Sequence, residues 1–267
     1  MHASTVRTLL VRGMIAGVLA GLLAFALAYL VGEPSVDDSI ALEGKQSAPA
    51  HHEHGAAAAA PEEEEELVSR PVQSTFGLAT GVLVYGVALG GIASLAFCFC
   101  LGRVGSLRPR ATAALTAAAA FTTVYLVPFL KYPATPPAVG NPDTIGERTT
   151  MFFLMIALSV LLAVMAVIVG RRLVPRLGNW NATVVAGAGY IAAVSLACLL
   201  LPGSADSVKS SFPASLLWEF RLASLGIQAL LWTVFGLLFG ALAERVLTPR
   251  EATAATGGAA SAQASTG

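Results

Sequence analysis

The stretch MFFLMIALSVLLAVMAVIV, residues 151–169, contains no charged residue. A helix needs about 20 mostly apolar residues to cross a bilayer, because the hydrocarbon core is about 30 Å thick and each residue adds 1.5 Å. A strand of a membrane barrel has about 10 residues of alternating polarity. This stretch is longer and does not alternate, so it predicts a transmembrane helix.

The rest of the chain shows the same character. Of its 267 residues 55% are hydrophobic and 12% are charged, whereas about a quarter are charged in a typical soluble domain. Mean hydropathy is +0.72. We therefore predict an all-α, polytopic transmembrane helical bundle of about six spans. The predicted spans are residues 9–31, 76–101, 111–130, 151–169, 182–201 and 222–243.

The chain is predicted to form a single transmembrane domain over residues 1–248. An exterior loop, residues 32–75, follows the first span, and residues 249–267 are a small-residue tail expected to be disordered. Ala24-Phe25-Ala26 resembles a signal-peptidase site, so cleavage of the first span is an alternative. The apolar stretch from Leu9 exceeds a usual signal-peptide core, which favours an uncleaved helix.

The orientation of the bundle follows from lysine and arginine, which are in excess in cytoplasmic segments. With the N-terminus inside, ten of these residues lie inside and six outside, and fourteen of the sixteen acids lie outside. Both termini are therefore predicted to be cytoplasmic. The ten inside residues are Arg7, Arg12, Arg103, Arg108, Arg110, Arg171, Arg172, Arg176, Arg245 and Arg250.

The exterior loop contains APAHHEHGAAAAAPEEEEE, residues 48–66, with three of the four histidines. Imidazole and carboxylate ligands suit divalent Co, Ni, Cu and Zn, and affinity alone would favour copper over cobalt. We expect a capture site for a divalent metal here, with transient Co²⁺ as the first candidate, Ni²⁺ or Zn²⁺ as others, and no tightly bound cofactor. Its expected ligands are His51, His52, Glu53 and His54, with Glu33, Glu43, Glu66 and Glu219 as further candidates.

The same segment is also typical of an inert, solvated low-complexity linker, since alanine and glutamate runs are usually disordered. HHEH lacks the HExxH spacing that places two histidines on one helix face, so it does not indicate a zinc protease. The chain contains no GxxxxGK[ST], GxSxG or GxGxxG motif. An ATPase is excluded on this basis, no catalytic pair is evident, and no basic cluster indicates nucleic acid.

Few polar groups enter the predicted spans. Apart from Ser, Thr, Cys and Met, Gln228 is the polar side chain that lies deep. Glu219 and Arg221, at the mouth of the last span, could serve an ion pathway or reach the interface. Glycines four residues apart, as at Gly13 and Gly17, let helices approach closely. They are consistent with plain packing or with the frame of a narrow translocation path.

Several connecting segments resemble the cobalt transporter subunit CbtA family of bacterial membrane proteins. They include VGEPSVDDSIALE after the first span and ELVSRPVQSTFGL before the second. FLKYPATPPAVGNPDTIGERTT between the third and fourth spans is the most distinctive. RRLVPRLGNWNA and FPASLLWEFRLASLGIQALLWTVFGLLFGALAERVL complete a resemblance that covers about residues 5–248.

The resemblance implies a cobalt uptake protein of the bacterial cytoplasmic membrane, linked to cobalamin supply. It also implies a small, His-rich, one-helix partner resembling CbtB, in addition to membrane lipid and a possible homo-oligomer. Our leading interpretation is a membrane subunit of a divalent metal importer. The alternative is a non-transporting scaffold or metal-binding accessory protein, which the scarcity of polar groups in the spans favours.

Overall fold

The computed structural model of the chain describes residues 2–47, 69–137, 139, 142–203, 208 and 212–248. All its regular elements are helical, and no strand occurs within those ranges, which confirms the all-α part of the predicted fold class. The α-helices are α1 Ala3–Leu27, α2 Glu33–Ser47, α3 Arg70–Val72, α4 Leu78–Cys100, α5 Pro109–Ala120, α6 Val127–Lys131, α7 Ile145–Leu200 and α8 Ala214–Leu247. π-Helical turns at Ala28–Gly32, Gln73–Gly77 and Phe121–Leu126 join several of them into longer rods.

Five of these rods are long and apolar enough to cross a membrane: Ala3–Lys45, Arg70–Cys100, Pro109–Lys131, Ile145–Leu200 and Ala214–Leu247. Two predicted spans, residues 151–169 and 182–201, fall within α7. Helical geometry breaks inside α7 at Gly178, where φ is 75° and ψ is 165°. A positive φ of this kind suits glycine, which has no Cβ.

The two arms of α7 on either side of Gly178 contact each other. The hydroxyl oxygens of Ser159 and Tyr190 are 2.9 Å apart and share a hydrogen bond. Nearer the break, a Cβ on Gly170 would stand 3.0 Å from the Cβ of Ala186. The arms therefore fold back on one another as a helical hairpin.

The exterior loop predicted for residues 32–75 is wrong at its two ends. The helix of the first span continues as α2 to Ser47, and residues 70–77 are already helical. In α2, Lys45 occupies the last turn, where a positive charge stabilises a helix through its dipole. The polarity of the segment, which suggested a loop, instead reflects a helix with little apolar surface.

Two of the prolines within the helical rods lie just after π turns. Pro34 follows the π turn Ala28–Gly32, and Pro128 follows the π turn Phe121–Leu126. Proline lacks an N–H and its ring clashes with the carbonyl four residues earlier, whereas a π turn bonds to the carbonyl five residues earlier. The turns thus accommodate both rings, and the helix that contains Pro128 continues to Lys131.

The main core lies between α1, α4, α5 and α8. Phe97 meets the ring of Phe239 edge to face at 5.1 Å, and Phe239 stacks on Phe235 at 5.4 Å. On the opposite side of the core, α1 and α4 touch through glycines, among them Gly13 and Gly90. These four helices form the compact body of the molecule.

The α7 hairpin lies at the edge of this body. Only 11% of its most apolar stretch is buried, against 33% in α8. It is attached near both ends: Lys131 donates to the carbonyl of Leu201 at 3.0 Å, and Arg171 donates to the carbonyl of Arg103. Between these attachments the hairpin leaves open clefts against the rest of the protein.

Candidate functional site

The histidine-rich segment lies outside the described residues. This applies to the expected ligands His51, His52, Glu53, His54 and Glu66. The structure does describe the two flanks of the segment, which are the end of α2 and the start of α3. The geometry of these flanks determines where the segment begins and ends.

An ion-pair cluster joins the start of α3 to the first turns of α2. The guanidinium of Arg70 donates to a carboxylate oxygen of Glu33 and, at 2.9 Å, to one of Asp37. Glu33 and Asp37 are four residues apart on α2 and therefore share a helix face. The side chain of Glu33 is only 14% exposed. Glu33, expected as a possible metal ligand, is instead engaged by an arginine that holds the start of α3 against α2.

The other predicted acidic ligands are scattered. Glu43 on α2 and Glu219 on α8 are both exposed. Among the described residues there is no group of three or more His, Cys, Asp or Glu side chains that could hold a metal ion. Glu33, Glu43 and Glu219 therefore do not form a metal centre with described neighbours.

A cluster of neutral polar side chains lies inside the helical bundle. The hydroxyl oxygens of Tyr125 and Ser224 are 2.7 Å apart and share a hydrogen bond. One turn further along α8, the side chain of Gln228 interacts with the phenol of Tyr85 from α4. We call Tyr85, Tyr125, Ser224 and Gln228 the polar cluster. It connects α4, α8 and the π turn Phe121–Leu126 within otherwise apolar helices.

Two polar atoms of α8, in or next to the polar cluster, have no hydrogen-bond partner among the described residues. They are Gln228 Oε1 and Trp232 Nε1, and both atoms are buried. An unpartnered polar atom in an apolar setting is costly, and a water molecule or a hydrated ion removes that cost. The acceptor Gln228 Oε1 therefore marks a position where water or a cation would be stabilised.

A cleft of about 450 Å³ leads to the polar cluster. Tyr125 and Ser224 line it on one side, and residues 132–135, which begin the segment YPATPPAVG, line it at the far end. Arg221 of α8 donates to the carbonyl of Ala134 at 3.3 Å and fixes this segment beside the cleft. Residues 132–135 thus place part of a segment that carries the family resemblance in the wall of this cleft.

The charge in this cleft is not that of a strong cation site. The side-chain oxygen atoms that line it are the hydroxyls of Tyr125, Tyr132, Thr135, Thr149 and Ser224. Arg148 also lines the cleft. Burial raises the pKa of Tyr132, with a further rise from nearby Cys198, so its phenol is neutral at neutral pH. A bare divalent ion would meet one positive charge and no carboxylate among these lining residues. These lining residues therefore do not indicate tight binding of a divalent cation.

The sequence interpretation identified Gln228 and missed Tyr85, Tyr125 and Ser224. Each carries one hydroxyl group in a mostly apolar helix, and such residues also occur as ordinary packing residues. The signal available was a concentration of polar residues in FTTVYL, residues 121–126, which the structure shows to be a π turn. π Turns are frequent at functional sites.

Comparison with known proteins gives one informative result. Neither the curated proteins nor the solved structures yield a match to the chain. A protein-family model described as "Probable cobalt transporter subunit (CbtA)" matches residues 6–244. This family consists of transporter subunits and is not an enzyme class. Because the match covers nearly the whole chain, and the helices have the length and apolarity of membrane spans, the protein belongs to the CbtA family of cobalt transporter subunits.

Proposed function

We propose that the chain is the membrane subunit of a divalent cobalt importer in the bacterial cytoplasmic membrane. Co²⁺ is the substrate, and Ni²⁺ and Zn²⁺ are competing candidates of similar ligand preference. The imported metal would supply cobalamin synthesis. The family match supports the transport of cobalt, and the polar cluster supports a route through this chain.

We further propose six membrane crossings with both termini in the cytoplasm. The break at Gly178 and the contact between Ser159 and Tyr190 support two crossings by α7 rather than one. Each arm is long enough, since about 20 helical residues span the hydrocarbon core. The excess of arginine in the segments on the same side of the membrane as the N-terminus supports this orientation.

In this proposal the cation moves through three stations. His51, His52, Glu53 and His54 gather it outside, and the acidic run ending at Glu66 raises its local concentration. Glu43 and Glu219 contribute to the same exterior field. The cation then enters, in hydrated form, the cleft lined by Tyr125 and Ser224. We call it the outer cleft. From there the cation passes the polar cluster. The observation that carries this route is the contact between Tyr125 and Ser224, because it places paired oxygen ligands inside the bundle, in the wall of a cleft.

The alternative is a scaffold or accessory protein that binds metal outside and does not transport it. The presence of Arg148 in the outer cleft favours this alternative. A small, His-rich, one-helix partner would reconcile the two, because it could supply the ligands that the described part of this chain does not group together. The partner would reside in the same lipid bilayer, and the assembly could also contain more than one copy of this chain.

The deciding experiment measures metal accumulation in cells that lack their own cobalt uptake. The chain is expressed alone and together with a small, His-rich, one-helix protein encoded beside it, and cellular Co and Ni are measured against an empty vector. We expect Co to rise with the pair or with the chain alone. If neither combination exceeds the vector although the chain is present in the membrane, the importer proposal is wrong and the scaffold is favoured.

A further inference from the structure

A second cleft, of about 620 Å³, lies between the turn after α4 and the two arms of α7. It lies toward the tip of the α7 hairpin, close to the break at Gly178, whereas the outer cleft is lined by the first residues of α7. Small and apolar side chains, among them Ala163, Val167 and Ala186, line its depth, and Arg103 and Arg171 lie at its mouth. We call it the arginine cleft.

No ion pair to a described acid is found for the two arginines at this mouth. Arg171 donates to the carbonyl of Arg103, while Arg103 donates to the carbonyl of Phe99 at 2.9 Å and lies 4.9 Å from the centre of its ring. Arg70 and Arg110, by contrast, do form ion pairs with acids. Residues 101–110 and 170–180 together contain six arginines and no acid, and one of the six, Arg110, is paired with Glu244 of α8. The mouth is therefore complementary to an anion.

The depth of the arginine cleft matches one leaflet of a bilayer. Along the second arm of α7 it extends from Asn179 to Tyr190, which is about 16 Å at 1.5 Å per residue. Half of the hydrocarbon core is about 15 Å. The hydrogen bond between Ser159 and Tyr190 lies at the deep end of the cleft. A groove of this length, basic at one end and apolar along its depth, has the form of a site for an acyl chain with an acidic headgroup.

We propose that the arginine cleft binds one anionic phospholipid. Its phosphate lies between the guanidinium groups of Arg103 and Arg171, and an acyl chain fills the space between the arms of α7 and the turn after α4. The lipid would thereby join a poorly buried hairpin to the body of the protein. The site is separate from the outer cleft and does not depend on metal transport.

Native mass spectrometry of the full chain in detergent tests this proposal. Phosphatidylglycerol and phosphatidylcholine with the same acyl chains are titrated in turn. We expect the anionic lipid to be preferred by at least about fivefold, and the preference to disappear in an Arg103→Gln/Arg171→Gln double variant, because each arginine near a membrane surface contributes about this factor. Arg103→Lys/Arg171→Lys should retain most of it. Arg176→Gln, an exposed arginine at the same end that does not line the cleft, should retain all of it.

A second pair of variants tests the acyl-chain part of the site. A side chain on Gly187, which lines the arginine cleft, would meet open space, and so would one on Gly189, which does not line it. Gly187→Leu should fill the cleft and lower lipid binding severalfold, while Gly189→Leu should not. Each variant must elute as a monodisperse peak.

Three outcomes would overturn the proposal. The first is unchanged lipid preference in the Arg103→Gln/Arg171→Gln protein, or an equal loss in the Arg176→Gln control. The second is displacement of lipid by inorganic phosphate together with no effect of Gly187→Leu, which would indicate a site for a free anion. The third is a species of two chains without lipid, lost in the Gly187→Leu protein, which would indicate that a second copy fills the cleft.

Discussion

Gly17 of α1 and Gly86 of α4 face each other with their backbones in contact. A Cβ placed on Gly86 would lie 2.6 Å from the carbonyl oxygen of Gly17, closer than real Cβ atoms approach. Gly13 and Gly90 repeat the arrangement one turn away. In a bilayer, where apolar side chains gain little by leaving lipid, such close backbone packing is a principal source of helix association. These glycines thus bring the backbones of α1 and α4 into direct contact.

The contact predicts that Gly86→Ala destabilises the protein. The added methyl group must separate α1 from α4, and overpacking of this kind costs about 1–3 kcal/mol. Gly81→Ala in the same helix is the matched control, because its Cβ would meet no atom within 4 Å and alanine favours helix by up to about 1 kcal/mol. Thermal unfolding in detergent should show a lower midpoint for Gly86→Ala alone. Equal midpoints would contradict the contact.

The pairing of Glu33 with Arg70 predicts a structural role for this acid. Glu33→Gln should lower the free energy of unfolding by about 1 kcal/mol, as for a partly exposed ion pair, with a smaller effect in high salt. Cobalt affinity measured by calorimetry should not change. Asp38→Asn, an exposed acid of the same helix, should alter neither quantity. A loss of cobalt affinity in Glu33→Gln would instead restore Glu33 as a ligand.

The polar cluster predicts that uptake depends on single hydroxyl groups. Tyr125→Phe and Ser224→Ala should each reduce cobalt uptake by about two- to tenfold, the range expected for one hydrogen bond, without lowering the amount of protein in the membrane. Tyr29→Phe, which alters an exposed tyrosine of the first rod, is the control. Uptake of labelled cobalt, normalised to membrane-inserted protein, measures the effect. Wild-type rates in both cluster variants would remove the cluster from the route.

The proposed role of the histidine-rich segment, residues 48–66, predicts that its loss affects cobalt uptake only at low cobalt concentration. Replacing His51, His52 and His54 by alanine should lower cobalt uptake at limiting metal and leave it nearly unchanged at saturating metal, because the segment raises local concentration and does not form the passage. His2→Ala, which changes the fourth histidine, should behave as wild type. The measurement is uptake across a range of cobalt concentrations. Unchanged uptake at limiting metal would identify the segment as an inert linker.

The break at Gly178 predicts that the tip of the α7 hairpin faces the cytoplasm. In a protein with Cys98, Cys100 and Cys198 replaced by alanine, a cysteine at Thr135 should react with an impermeant maleimide added outside intact cells. A cysteine at Asn179 should react only after the membrane is permeabilised. Labelling of position 179 from outside would contradict six crossings.

The sequence determined the helices because their signal is local. An uncharged run such as residues 151–169 must satisfy its backbone hydrogen bonds internally in lipid, and only a helix of that length does so. The glycine spacing of α1 also indicated a packing face. The sequence misjudged residues 33–47, because a polar helix that continues an apolar one and is stabilised by a distant arginine resembles a loop in composition.

The polar cluster and the clefts were decided by tertiary structure alone. Tyr125 and Ser224 are 99 residues apart, and Arg70 and Glu33 are 37 apart. No local pattern requires these pairs to meet; their contacts follow from the faces along which the helices pack. Likewise, the folding back of α7 at Gly178 creates the arginine cleft by leaving the hairpin loosely packed against the body. The local sequence thus determined which segments are helical and apolar. The packing of the helices determined which of their few polar groups meet, because only packing brings residues that are distant in the chain together.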